Sequence, residues 1–229
     1  MLILAIDTSA IASAALLRST RTDGAAEVLA SFASTETNTH AEVLAPAIQG
    51  LLAEAGVAGA ELDRIVVGVG PGPFTGLRVG IATARALGFA WNVPVEGAVS
   101  LDAIAWDVLA AGEAPAQGFT VAIDARRKEL YWARYAADGS LDEGPHVSVP
   151  GHLPEGPVCG AGAGLYADRL AAAGAPAVER FRDRQPTAAS LGASALEKLA
   201  RGEDLLATTP LYLRESDAKV PAAMQGHTP

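Results

Sequence analysis

One cysteine, Cys159, stands in a chain of 229 residues. A disulfide framework needs pairs and a cysteine metal cluster needs several thiolates, so neither can be built from this chain. Histidine is nearly as scarce. His40, His146, His152 and His227 are the whole set, and no two lie three or four apart. That spacing excludes a two-histidine zinc helix of the His-Glu-x-x-His kind. Aromatic residues make up only 5% of the chain, and alanine fills much of its 50% apolar share. Cations are outnumbered: 17 Lys and Arg face 26 Asp and Glu, for a formal charge of −9. Such a surface repels phosphate backbones, so a broad grip on nucleic acid is not expected. Long apolar runs are missing too. "MLILAIDTSA" has no basic leader and is interrupted by Asp7, which argues against a secretory signal and against a membrane span. The expectation is a soluble, cytoplasmic chain with enough apolar residues for a buried core.

What is present is a regular alternation of short apolar segments. "MLILAIDTS" reads as a buried strand whose far end carries Asp7, Thr8 and Ser9. "IASAALLRS" and "EVLASFAS" read as the next two strands. In "THAEVLAPAIQGLLAEAG", Val43, Leu44, Ala47, Ile48, Leu51 and Leu52 repeat at helical spacing, and Thr39 with Glu42 forms a capping-box pattern. Pro46 is a misfit there, because an interior proline removes a hydrogen bond. "RIVVGVG" is apolar and β-branched, as a central strand covered on both faces should be. A helix over 76–91, a strand at "VPVEGA" and a helix at "SLDAIAWDVLAAG", with Ser100 as N-cap, complete the order β-β-β-α-β-α-β-α. This is the order of a ribonuclease-H-like unit. The triplet Ala-Ile-Asp at 5–7 recurs at 122–124, again followed by a second strand, "ELYWARYA". A strand at "GPVCGAG" and helices at 164–173 and 188–201 come after it. The class is α/β, and the repeat predicts two like subdomains facing each other across a cleft. The first spans 1–112, the second and shorter spans 113–214 after the Ala/Gly/Pro-rich "AAGEAPAQG", and 215–229 forms a flexible tail.

The stretch "GVGPGPFTGLRVG" has the look of a phosphate loop, yet it fits no standard one. A Walker loop needs Gly-Lys-Ser/Thr, and this loop has no lysine. The dinucleotide pattern fails at Pro73 and at Thr75. A rigid strand-to-helix turn explains the residues better: Pro71 and Pro73 stiffen it, the glycines permit positive φ, and Thr75 can cap the helix. Gly76, Gly80, Ala84 and Gly88 then form a stripe of small residues along that helix. Such a stripe allows another element to approach closely, and the helix has almost no polar face. The expectation is that it packs on its own sheet on one side and on a partner through the stripe.

"ILAIDTS", "GVGPGPFTGLRVGIATARALGFA", "VPVEGAVSLDAIA", "AIDARRKELYWARY" and "PLYLRE" resemble the TsaB family, also called YeaZ and glycoprotease-like, over nearly the whole chain up to Arg214. The resemblance implies the ASKHA fold of actin, sugar kinases and DnaK-type chaperones, here with two actin-like subdomains and a shortened second half. It implies a role in threonylcarbamoyladenosine modification of ANN-decoding tRNAs, next to the anticodon. The role is that of a non-catalytic partner of a TsaD-like catalytic subunit, joined by a TsaE-like ATPase, with tRNA reached through the complex. A homodimer is implied for the chain alone. The implied contact surface is the first two helices, about 39–55 and 76–91, and the interface residues expected there are Leu44, Ile48, Leu51, Leu77, Gly80, Ile81, Ala84, Arg85 and Gly88. Asp7 and Asp124 stand where kinases of this fold keep magnesium-associated acids; with Thr8 and Ser9 they would mark a degenerate nucleotide-site remnant, although Asp7, Thr8 and Ser9 read first as strand-end capping groups. No catalytic residue, metal or cofactor is expected. The rival reading is an actin-fold small-molecule kinase or ATPase with a residual nucleotide site. Cys159 reads as a buried core residue, and "ERFRDR" at 179–184 as solvated surface.

Overall fold

The computed structural model describes residues 1–19, 25–34 and 40–214. Thr39, of the expected capping box, and the expected tail at 215–229 lie outside the described residues. β1 (Leu2–Asp7) has two buried faces: Leu4 and Ile6 join one apolar cluster, Ile3 and Ala5 another. The period of two is that of a strand, and coverage on both faces explains the unbroken apolar run. β2 (Ser13–Arg18) and β3 (Glu27–Ala33) extend the sheet antiparallel to β1 on one side. β4 (Arg64–Gly68) and β5 (Val95–Ala98) extend it in parallel on the other, giving the order β3-β2-β1-β4-β5. Parallel neighbours need crossover connections. α1 (His40–Ala55) and α2 (Phe74–Trp91) supply them, and both pack on the face that carries Leu4 and Ile6. Pro46 is accommodated inside α1.

The second sheet repeats this plan. β6 (Phe119–Asp124) pairs antiparallel with β7 (Leu130–Tyr135), which pairs antiparallel with β8 (Leu141–Ser148); β9 (Val158–Cys159) joins β6 in parallel. The order β8-β7-β6-β9 matches β3-β2-β1-β4 strand for strand, so Asp7 and Asp124 end equivalent strands. The second sheet has one strand fewer. Its covering helices are short as well: α4 (Ala161–Leu165) and α5 (Ala167–Ala172). α3 (Asp102–Ala110) lies between the sheets, with Ile104 and Val108 against the second and Ala103 against the first.

Several expectations are corrected here. β8 was not anticipated. It is an edge strand, where Pro145 is tolerated because one side of the ladder faces outward. The helix expected at 164–173 breaks at Tyr166, whose backbone leaves helical angles. Ser100 does not cap α3, which starts at Asp102; its hydroxyl serves Asp7 instead. Thr75 lies inside the first turn of α2, and the cap position is Pro73. α6 (Ala188–Ala200) and the segment 205–214 fall within the expected second half yet return to the first sheet. α6 packs on the Ile3 and Ala5 face. Leu206 pairs with Gly97 of β5, and the Leu211 amide donates to the Val69 carbonyl at 2.8 Å.

One buried cluster ties these parts together. The Asp102 carboxylate, 4% exposed, accepts from the Tyr135 hydroxyl at 2.8 Å and from Lys198 Nζ at 2.6 Å. It thereby joins α3, β7 and α6. Burial first, and the Asp102 charge second, push the Tyr135 hydroxyl well above the usual phenol range, so it stays a donor. Asp102→Ala leaves a buried hydroxyl and a half-buried ammonium without their acceptor. The expected cost is about 3 kcal/mol, read as a lower urea midpoint in equilibrium unfolding.

Candidate functional site

The strand-end residues were expected to mark a nucleotide-site remnant, and the structure divides them. Asp7 is 0% exposed, and its carboxylate is occupied internally. One oxygen accepts from the Ser9 amide at 2.9 Å and the Ser9 hydroxyl at 2.6 Å; the other accepts from the Ser100 hydroxyl at 2.6 Å. The Thr8 hydroxyl donates to the Gly76 carbonyl at 2.8 Å. Asp7 and Thr8 therefore face inward. Ser9 and Asp124 do meet, on opposite walls of a cleft between the subdomains with a cavity of about 270 Å³. Asp124 accepts from the Arg126 amide at 2.9 Å, and its carboxylate pairs with the Arg126 guanidinium at 3.4 Å.

The glycine loop is explained by the same packing. A Cβ at Gly68 would collide with the Asp7 carboxylate, and one at Gly80 with the Thr8 hydroxyl. The loop and the first turns of α2 thus press directly against the end of β1. The glycines exist for that approach, not for a phosphate. The expectation that the small-residue stripe faces a partner is corrected: Gly76, Gly80, Ala84 and Gly88 are buried against their own sheet. Leu44, Ile48, Leu51, Leu77 and Ile81 are buried beside it. Of the interface residues expected from the sequence, only Arg85 lies outside, where its guanidinium donates to the Thr208 hydroxyl and carbonyl, each at 2.9 Å.

The outward face of α2 carries a residue that the sequence reading missed. Phe89 is 92% exposed. Around it stand exposed Ala82, Ala86 and Ala90. α1 packs beside α2 and turns Ala45, Gly50 and Ala53 outward. The available signal was helical phase. At 100° per residue Phe89 points roughly 140° away from the centre of the buried stripe.

The thiol and histidine chemistry is modest. Cys159 is fully buried, and burial pushes its thiol up to about 12, so it carries no thiolate near neutral pH. His146 pairs with Glu143 at 3.4 Å on the edge strand. Among the described residues no three His, Cys, Asp or Glu side chains stand together in a way that could hold a metal, and no helix is long and apolar enough to cross a membrane.

The family model for TsaD, tRNA N6-adenosine threonylcarbamoyltransferase, matches residues 27–181. A solved structure, YeaZ from Pseudomonas aeruginosa, superposes with a TM-score of 0.71 at 29% identity, over 93% of this chain and 100% of that one. The tRNA threonylcarbamoyladenosine biosynthesis protein TsaB of Bacillus subtilis (strain 168) is 34% identical over 145 residues, 62% of this chain and 58% of that protein. The chain belongs to the TsaB (YeaZ) family. An uncharacterized protein of Mycobacterium tuberculosis (strain H37Rv) is 41% identical over 194 residues, 84% of this chain and 83% of its own length. The likeness to YeaZ supports the two actin-like subdomains described above.

The inward stripe makes a definite prediction. Gly80→Ala raises helix propensity by up to about 1 kcal/mol, yet it places a methyl group against Thr8. Overpacking of that kind costs about 1–3 kcal/mol, so the monomer is expected to lose stability. Thermal unfolding followed by circular dichroism reads it. A melting temperature at or above that of the unsubstituted chain would place the stripe on the wrong side of the helix.

Proposed function

We propose that this chain is a non-catalytic subunit in the biosynthesis of threonylcarbamoyladenosine in ANN-decoding tRNAs, next to the anticodon. Its partners are a TsaD-like catalytic subunit and a TsaE-like ATPase, and it works in the cytoplasm. Family membership supports the pathway. One observation carries the subunit reading: Phe89, 92% exposed, stands on α2 beside exposed Ala82, Ala86 and Ala90, with exposed Ala45, Gly50 and Ala53 on the neighbouring α1. A lone exposed ring is ordinary, but with Ala82, Ala86 and Ala90 beside it the ring becomes part of a contiguous apolar patch of the kind that marks interaction sites. Alanines at 82, 86 and 90 let a partner helix approach to the short interaxial distances of packed helices, with Phe89 as anchor. The same face serves a TsaD-like partner and, without it, a second copy of this chain. The interface thus uses the helices expected from the sequence and their opposite face. The kinase reading needs a free acid at the end of β1, and Asp7 is already saturated by Ser9 and Ser100.

Phe89→Ser tests this directly. The monomer should melt as before, because the ring touches little of its own fold. Self-association and binding of a TsaD-like partner should weaken roughly ten- to hundredfold in analytical ultracentrifugation. Unchanged association would remove this face from consideration. Activity supplies a second check: the purified chain alone should not form threonylcarbamoyladenosine from tRNA and threonylcarbamoyl-adenylate. Turnover without partner overturns the non-catalytic reading, and micromolar ATP–magnesium binding by calorimetry favours the kinase instead.

A further inference from the structure

Arg126, Arg127 and Arg214 line the junction of the two subdomains, and Arg169 and Arg182 continue the row onto the second subdomain, in a chain of formal charge −9. Three cavities follow one another there. The first, about 250 Å³, is bordered by Arg126, Arg127 and Arg214 and by Phe74 of α2. The second is the cleft of about 270 Å³ already described, which shares Arg126 and Pro73 with the first. The third, about 280 Å³, shares Leu165 with the second and adds Tyr166, Arg169 and Arg182. Asp124 and Asp168 border the cavities, and Glu129 and Glu179 stand beside the row as partners of Arg214 and Arg182.

The way the cations are presented is unusual. Arg126, Arg127 and Lys128 form the turn between β6 and β7 with φ of 61°, 54° and 63°. Left-handed backbone favours glycine or asparagine, and here three consecutive cations occupy it. The turn is closed by the Ala125 amide on the Glu129 carbonyl at 2.9 Å and the Glu129 amide on the Arg126 carbonyl at 3.0 Å. Aromatic rings accompany guanidinium groups at both ends of the row. The Arg169 guanidinium lies 5.9 Å from the Tyr166 ring; at the other end the Phe74 ring borders the first cavity, 4.6 Å from the Tyr212 ring and 5.8 Å from the guanidinium of Arg78, which stands outside the row. Arg126 and Arg182 hold acidic partners at 3.4 and 3.1 Å, at positions exposed enough for a phosphate to displace them.

Guanidinium groups spaced along an open groove, with rings at intervals, match the phosphates and unstacked bases of a single strand. The cations continue beyond the middle cavity, which favours a chain over one compact anion. We propose that this groove binds a single-stranded stretch of RNA, with phosphates at Arg126 and Arg127 and bases against Tyr166 and Phe74. The groove chemistry is read from these residues alone; the choice of RNA as the polymer rests on the tRNA role proposed above.

The test is fluorescence anisotropy of the full chain with a labelled oligoadenylate RNA about twelve nucleotides long, across a salt series. The double variant Arg126→Gly/Arg127→Gly removes two charges and suits the left-handed turn, so misfolding does not confound it. Its affinity should fall at least tenfold, and the slope of log K against log salt should fall by about 1.4, at about 0.7 per single-strand phosphate contact. Arg169→Gln, at the far end, should also weaken binding, and Arg201→Gln, outside the groove, should not. The proposal is overturned by absent binding at low salt, by groove variants that bind like the unsubstituted chain, or by displacement by duplex RNA or ATP as effective per phosphate as the oligonucleotide. Partner binding keeps the two readings apart: groove variants should retain it, and Phe89→Ser should retain RNA binding. Loss of a TsaD-like partner with intact RNA binding counts against the subunit reading alone.

Discussion

Thr8 donates its hydroxyl to the Gly76 carbonyl, and the space a side chain at Gly76 or Gly80 would need is filled by Thr8 itself. This contact sets the height and the rotation of α2 over the first sheet. With the inner face pressed onto the end of β1, Leu77, Ile81 and Ala84 reach the core and Phe89 is turned to the outside. The same approach encloses Asp7 and leaves its carboxylate to Ser9 and Ser100. A position that could have faced a ligand is therefore part of the packing. Of the polar strand end, Ser9 alone borders the cleft.

In the second sheet Gly160 and Gly162 approach the Ala122 carbonyl in the same way, but the helix they open, α4, is only five residues long. β6 ends in Asp124, just as β1 ends in Asp7, but no long helix presses on it. Asp124 is consequently half-buried and paired with Arg126, whose turn projects into the cleft. The two halves share one strand plan and differ in what covers the strand ends. A small second core on its own would be marginal. α3 and α6 compensate by bridging it to the first sheet, with the Asp102 carboxylate as the shared acceptor for Tyr135 and Lys198.

Most of the fold was legible because its strands are covered on both faces or repeat a triplet. The runs ending at Asp7 and Gly68 and the echo at 122–124 announce buried strands without reference to anything distant. β8 was not legible, since Asp142, Glu143, Gly144 and Pro145 interrupt every simple period and only pairing with β7 makes it a strand. The glycines of the loop signalled a close approach correctly, but spacing cannot say what approaches. The answer lies near residue 8, almost seventy positions away in the chain, and so the stripe was assigned to the wrong neighbour. Phe89 was hidden for a related reason. In a helix with so few polar residues, another apolar side chain looks like core until the buried side of the helix is known.

The segment 205–214 sorts charge between the two proposed faces. Arg78 and Arg85 lie on the solvent side of α2, where two free guanidinium groups would break up an apolar surface. Arg78 donates to the Tyr212 hydroxyl at 2.9 Å, and Arg85 is held by Thr208, so both cations are drawn to one edge of the helix. Arg85 stands one turn from Phe89, and Ala82, Ala86 and Ala90 flank the ring on the side away from that cation. At its other end the segment brings Arg214 to the Ala125 carbonyl and to Glu129, beside the basic turn. A single stretch of chain thus removes two cations from one surface and adds one to the other. That is how an acidic protein presents an apolar helix face and a basic groove without either diluting its neighbour.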